Sequence, residues 1–352
     1  MDKFLHHTDG VALMIEQNCQ DLYNKMHLLK VDALGLSEHG KAYFSGSHLK
    51  RLFFSIQTSA HILYNVVQLV NKPFHQIVLM DYGAGVGTLY LLAKMVGCSR
   101  VIYNDILEEW KQNALQIAAA INIDVDNYIV GDIETTLQQL QLKGINCDVI
   151  TSRNVIEHIY QLPSFYACIA KLQPNAIVYS STTANFYNPA MHLQHILLHK
   201  RVEKIYRQQR YQLISRLAPQ LTEKQKTRLA SYTQGYEKNG IQLQVEAYLQ
   251  RRQLPKRNFF YTNTCDVEWG VWAENLLPFQ LHAQAVQMAN MQVEFKPGFW
   301  DTHYSSGALN ILGKMCNVCI ATFGKQVGFF LAPFIYVIAT PNLLHRNSTD
   351  GE

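Results

Sequence analysis

Apolar residues recur at three- and four-residue spacing over residues 10–29 and again over 47–70, where Leu49, Leu52, Phe53, Ile56, Ala60, Leu63 and Val67 share one helical face. Both segments are expected to be amphipathic helices. The second should stop at Asn71, Lys72 and Pro73, because a proline cannot continue a helix. Beyond it the texture changes to short apolar runs at 76–80, 100–103, 126–130, 147–151 and 175–180. Helical stretches at 88–96, 107–121, 133–142 and 162–172 separate or follow them. This alternation predicts β-α-β units, hence a mainly parallel sheet covered on both faces.

The strand signal stops at residue 185, and a stretch rich in Gln, Tyr and Arg runs to about 272, with Pro219 and Pro255 as breaks. It predicts a helical cap. Alternation then resumes with a helix at 278–291, a strand at 293–297, an apolar helix at 308–323 and a last strand at 334–339. Residues 326–344 carry no charge. A membrane-spanning helix needs ~20 mostly apolar residues, and Pro333 and Pro341 interrupt this run. A final sheet strand is expected, with peripheral membrane contact left open.

At 352 residues, 48% hydrophobic and 16% charged, the chain can bury a full core. The first ten residues, MDKFLHHTDG, are not followed by a signal-like apolar core, and the seven cysteines form no regular disulfide framework. A cytoplasmic protein with reduced thiols is expected. Cys316 and Cys319 form one close pair without a second, which reads as two thiols on an apolar helix, with no metal expected. The net charge of +4 is uneven. Between Lys200 and Arg257 lie Arg207, Arg210, Lys224, Arg228, Arg251 and Arg252, opposed only by Glu203, Glu223, Glu237 and Glu246. Such a segment is read first as a solvated helical surface, with an anionic acceptor or a membrane surface as alternatives. No nucleic-acid recognition fold is visible, so a nucleic-acid partner is not expected.

The run VLMDYGAGVGTLYLLAK carries the chemistry. Its strand ends at Asp81 and turns through Gly83, Gly85 and Gly87 into a helix. Glycine there admits positive φ and lets a ligand approach the backbone, at the strand end where open α/β sheets bind ligands. A dinucleotide fingerprint would need a third glycine where Thr88 stands, and no Gly-Lys-Ser/Thr follows to make a phosphate loop. The stretch resembles the first motif of class I S-adenosylmethionine-dependent methyltransferases.

Three further segments are similar to that family in order and spacing: VIYNDI, IVGDIETT and CDVITSRNVIEHI. The last resembles the group that methylates quinones and other small molecules. The resemblance covers residues 74–183 and resumes weakly from 278. It implies an α/β fold, a Rossmann-like mixed seven-stranded sheet with helices on both faces, N-terminal helices and a helical cap inserted after strand five. The expected divisions are an N-terminal extension at 1–73, a cofactor-binding core at 74–184, a cap at 185–277 and the rest of the core at 278–352.

It further implies S-adenosyl-L-methionine as cofactor, bound by Asp81, Gly83, Gly85, Gly87, Asp105, Ile106, Asp132, Ile133 and Asn154. Asp105 would accept from both ribose hydroxyls, since a carboxylate offers two acceptor oxygens. Asp132 would meet the adenine amino group with Ile133 beside the ring, and Asn154 the methionine end. The plainer readings stay open: Asp81 as a turn residue, Asp105 and Asp132 as helix caps. Glu157 and His158 would face the acceptor, with His158 as the candidate base and Tyr187 or His192 as substitutes.

His192, His195 and His199 share one face of a predicted helix without a further metal ligand in view. The apolar and aromatic residues Phe259, Phe260, Tyr261, Trp269 and Trp272 beside the basic stretch suggest a small-molecule or lipid-like acceptor with apolar and anionic parts. The alternative is a non-catalytic cofactor-binding scaffold on the same fold.

Overall fold

The computed structural model describes residues 3–256 and 262–342. Asp9 opens helix α1 (Gly10–His27) by accepting the Val11 and Ala12 N–H groups, as a short acidic cap does. A short helix α2 (Glu38–Tyr43), capped by Ser37, runs into a π-helical turn at Phe44–His48 and a 3₁₀ turn at Leu49–Arg51. Helix α3 (Leu52–Val70) follows and ends on Asn71 in the left-handed conformation, just ahead of Pro73. The second expected helix thus begins five residues late, and α2 with its turn is an addition that short polar segments did not signal.

The core alternates as expected: β1 (Val78–Asp81), α4 (Leu89–Met95), β2 (Arg100–Asp105), α5 (Glu108–Ala120), β3 (Asn127–Val130), α6 (Ile133–Leu142), β4 (Val149–Arg153), α7 (Leu162–Leu172) and β5 (Ile177–Thr182). The cap holds α8 (Pro189–Leu217), α9 (Glu223–Tyr232), α10 (Lys238–Arg251) and a small ribbon of β6 (Cys265–Asp266) and β7 (Val271–Trp272). The ribbon was not expected, since two-residue strands leave no alternation to read. The chain closes with α11 (Phe279–Gln287), β8 (Met291–Pro297), α12 (Gly307–Thr322), α13 (Gly324–Leu331) and β9 (Ile335–Pro341). Of the uncharged tail, residues 326–331 are helical and 335–341 form a strand.

The main sheet has seven strands in the order β3-β2-β1-β4-β5-β9-β8, parallel from β3 to β5, with β9 antiparallel to both neighbours. Successive strand residues point to opposite faces. Leu79, Val101, Val149 and Ile338 bury against α1, α3, α4 and α5 on one side, through Ile15, Ile56, Leu92 and Ile117. Met80, Ile102, Ile150 and Val337 bury against α6, α7 and α11 on the other, through Leu137, Ile169 and Val286. The cap has its own core around Leu213, Ile214, Leu229, Ile241 and Val245. The strand order reverses between β1 and β4, which opens a crevice at their carboxyl ends.

Among the described residues no helix is long and apolar enough to cross a membrane. The seven cysteines are all unpaired.

His282 on α11 is buried with neither ring nitrogen hydrogen-bonded, and burial pushes it down to about 4. The unfolded chain takes up a proton near the ordinary value of about 6.5 while the folded chain does not. Stability is therefore lost as pH falls from about 6.5 towards 4. His282→Leu should stabilise by about 1 kcal/mol at pH near 8, and by about 2 kcal/mol more at pH near 5. Urea unfolding at both pH values checks this; an equal gain at each would show that the ring is not held neutral.

Candidate active site

The crevice begins where β1 stops. Tyr82 N–H donates to the Thr151 carbonyl and Ala84 N–H to the Asn104 carbonyl, both at 2.8 Å, so the loop is pinned between β4 and β2. Gly83 and Gly85 lie at φ +65° and +53°. A Cβ on Gly83 would stand 2.6 Å from Val155 Cγ2, whereas one on Gly85 would meet no protein atom within 4 Å. Gly85 therefore leaves open space at a backbone conformation that only glycine adopts freely. A Cβ on Gly87 would press on the Ala84 carbonyl at 2.8 Å.

Asp81 is buried beneath the loop. Its carboxylate accepts from Tyr90 N–H at 3.1 Å and from the Thr151 hydroxyl at 3.4 Å, which fixes the start of α4. Burial pushes this carboxyl up to about 7, against the pull of Arg153. Asp105, at the end of β2, accepts from Leu107 N–H with Oδ1 at 3.1 Å and from Gly85 N–H with Oδ2 at 3.0 Å. Burial raises it too. Each oxygen keeps a further lone pair. Asp132 caps α6 through Oδ1 and Thr135 N–H at 2.8 Å, so the capping role read from the sequence is real, and one oxygen is left over. Ile106, Ile133 and Asn154 line the same crevice, Asn154 at φ +54° with its N–H on the Ser181 carbonyl.

Two residues that sequence reasoning passed over complete this end. Arg153, the last residue of β4, turns its guanidinium back under α3. Nη1 shares its two hydrogens among four oxygens, the Ser55 carbonyl at 3.0 Å, the hydroxyls of Ser55 and Ser59 at 3.2 and 3.0 Å, and the Thr88 hydroxyl at 3.2 Å. Among the described residues no carboxylate lies within ion-pair distance of it. A cation closing a strand run that must be buried was the signal available in ITSR, because arginine is almost never buried unpaired. His48, from the π-helical turn, borders the cavity with Nε2 unpartnered. Burial, with Arg153 adding to it, holds that ring neutral, at about 3.

His158 sits at the opposite wall. Its Nδ1 faces the Trp272 carbonyl at 3.0 Å, and Trp272 N–H donates back to the His158 carbonyl at 3.1 Å. A carbonyl can only accept, so Nδ1 carries the hydrogen and Nε2 keeps a lone pair. Its neighbour Glu157 is buried, and burial pushes that carboxyl up. Tyr160 ties the cap to this wall: its ring stacks on Trp272 at 5.0 Å and its hydroxyl donates to the Gly235 carbonyl at 3.1 Å.

The resulting cavity, of about 930 Å³, runs from the glycine loop to the cap. Tyr43, Trp110 and Trp269 supply aromatic wall, and Glu237 and Asn239 at the start of α10 supply polar groups. Among the described residues, Glu237 is the one charged residue of the cap that borders it, and Arg153 its one arginine or lysine. Arg210, counted above with the basic surface, is buried against Glu203 and the Ala230 carbonyl. Among the described residues the cap places no cation at the cavity to meet an anionic part of an acceptor.

Every nominated cofactor residue and His158 line this one cavity; Tyr187, His192, His195 and His199 do not. Tyr187 turns to Gln280. The three histidines bond the Phe186 carbonyl, the Met191 carbonyl with the Glu274 carboxylate, and the Thr262 hydroxyl with the Glu274 carbonyl. Among the described residues no group of three or more His, Cys, Asp or Glu side chains is placed to hold a metal. Phe259, Phe260 and Tyr261 lie outside the described residues.

A family model described as a methyltransferase domain matches residues 58–222. No curated protein matches the sequence significantly. Among solved structures, a SAM-dependent methyltransferase from Agrobacterium tumefaciens is 14% identical, over 34% of this chain and 44% of that one, with a TM-score of 0.29. A ribosomal protein L11 methylase from Lactobacillus delbrueckii subsp. bulgaricus is 20% identical, over 36% of this chain and 60% of that one, with a TM-score of 0.28. This chain spans less than two thirds of either, and neither likeness bears on the acceptor.

Proposed function

We propose that this chain, whose residues 58–222 match a methyltransferase-domain model, is an S-adenosylmethionine-dependent enzyme that methylates a small-molecule or lipid-like acceptor. The observation that carries this reading is the convergence of the open glycine loop, Asp105, Asp132 and the unpaired Arg153 guanidinium on one cavity.

These residues fit the cofactor group by group. Asp105 has two free lone pairs for a ribose diol, and Asp132 one spare oxygen for an exocyclic amine. Ile106 and Ile133 offer apolar contact to a flat ring. Arg153 offers a charge without a carboxylate partner to the amino-acid carboxylate. When bound, S-adenosylmethionine supplies a methyl group on an electrophilic sulfonium.

The chain contributes position and proton transfer. The cap and the α2 turn enclose the acceptor and orient it, which lowers the barrier by ~7 kcal/mol or more when geometry is right. The His158 Nε2 lone pair takes the proton from an acceptor oxygen or nitrogen, and the Trp272 carbonyl steadies the resulting imidazolium. The aromatic walls, with Glu237 the cap's one charged residue at the cavity among those described, favour an acceptor with an apolar body. The fixed tautomer of His158 favours turnover over a mere scaffold. The absence of a spanning helix among the described residues and the free thiols fit a cytoplasmic setting.

Calorimetric titration with S-adenosylhomocysteine tests the reading, with NAD as the control. Saturable binding to the wild type is expected, and Arg153→Met should weaken it by ~30-fold or more, as loss of a charged hydrogen bond does. Binding of NAD in place of S-adenosylhomocysteine would overturn the assignment.

A further inference from the structure

Helix α12 is built inside out. Its polar side chains Asn310 and Asn317 point inward and grip the preceding loop. Asn310 accepts from Tyr304 N–H at 2.7 Å and donates to the Tyr304 carbonyl at 2.9 Å. Asn317 does the same with Trp300, at 2.7 and 2.9 Å. Gly313 lies between them, where a Cβ would stand 2.7 Å from the Asp301 carbonyl. Around the helix from this stripe, Ile311, Leu312, Met315 and Val318 face outward, each more than half exposed. Phe323, between α12 and α13, and Phe330, on α13, extend the same exposed apolar character, at 65% and 54%.

A surface helix ordinarily turns its apolar stripe to the core. Here the asparagines and Gly313 fix the opposite orientation, so the exposure is specified by bonds rather than left by poor packing. Contiguous apolar surface of this kind marks an interaction site.

Charge selects the occupant. Over residues 307–331 the only charged side chains are Lys314 and Lys325, with no acid among them. Lys314 flanks the apolar stripe and is exposed, and Lys325 is exposed with Glu294 at 3.5 Å from its Nζ. An exposed apolar stripe flanked by lysines, with phenylalanines at its end, is the pattern of a helix that lies in the interface of an anionic bilayer. We propose that α12 and α13 dock the protein on an anionic lipid surface.

The docking face is linked to the cavity. Asp301, in the loop that the asparagines grip, pairs with Arg51 at 3.3 Å, and His303 lies on the Phe53 ring at 3.6 Å between centroids. Arg51 ends the turn that follows the cavity residue His48. A protein held on a membrane through α12 would thus present the α2 side of its cavity to lipid-borne molecules.

Flotation with vesicles of phosphatidylcholine, with and without phosphatidylglycerol, tests this on the full chain. The wild type should float with the anionic vesicles. Ile311→Glu with Met315→Glu should bind about a hundredfold more weakly, since two apolar anchors are lost. Lys314→Gln should cost about fivefold on anionic vesicles and nothing on neutral ones. These positions are exposed, so unchanged circular dichroism and unchanged S-adenosylhomocysteine affinity are expected, which separates this proposal from the assignment of the cavity. Wild-type protein that stays unbound at every composition would overturn it. So would a dimer in sedimentation that the Glu variant returns to monomer, because a second copy would then be the occupant.

Discussion

Asp105→Ala is expected to lower S-adenosylhomocysteine affinity at least a hundredfold. Hydrogen bonds to a charged group contribute about 1.5–3 kcal/mol each, and two would be lost from the ribose, which amounts to two or more decades. The structure adds a second effect. Asp105 also receives Gly85 N–H at 3.0 Å and Leu107 N–H at 3.1 Å, so alanine frees the glycine loop as well. Asp105→Asn keeps the shape and one acceptor oxygen, and should lose about tenfold. Titration calorimetry on the three proteins gives the order directly. Equal affinities would remove Asp105 from the binding site and leave it as a loop anchor.

The second large effect is on rate. His158→Ala should reduce methyl transfer by about 10²- to 10⁴-fold, the span that general-base catalysis covers, while S-adenosylhomocysteine affinity stays at the wild-type value. The acceptor is first found as the metabolite that gains one methylene when extract is incubated with enzyme and S-adenosylmethionine. Turnover of wild type and variant is then compared at saturating cofactor. Full activity in the variant would show that the acceptor loses its proton elsewhere or arrives already ionised.

Much of the core was legible because its strands are buried on both faces and read as unbroken apolar runs. Leu79 and Met80, one residue apart, serve opposite layers, so no alternation was there to confuse the assignment. Apolar runs alone did not reach every strand end. β2 extends through Asn104 and Asp105 because their polar side chains serve the loop and α6: Asn104 donates to Thr136 and to the Gly131 carbonyl. The α2 turn escaped notice since its folding rests on distant partners, such as Asn113, whose Oδ1 accepts from Ser37 N–H. The inward face of α12 was invisible for a related reason. Periodicity locates an apolar stripe but does not say which way it points.

Within the site, the residues found from sequence were those tied to a contiguous motif. Arg153 was in plain view within one such motif but acts through Ser55 and Ser59, almost a hundred positions earlier in the chain. No local spacing carries that link. Likewise His158 was nominated from a motif, yet its tautomer depends on Trp272, at the far end of the cap.

The Arg153 clamp also sets where this domain can be cut. The segment that matches the methyltransferase-domain model starts at residue 58, within α3, and leaves Ser55 behind. A fragment trimmed to that boundary would strip two of the four oxygens from a half-buried guanidinium and open the glycine loop to water. As an inherited or engineered module, the working part is therefore longer than the part that resembles its kin, and the N-terminal helices travel with it.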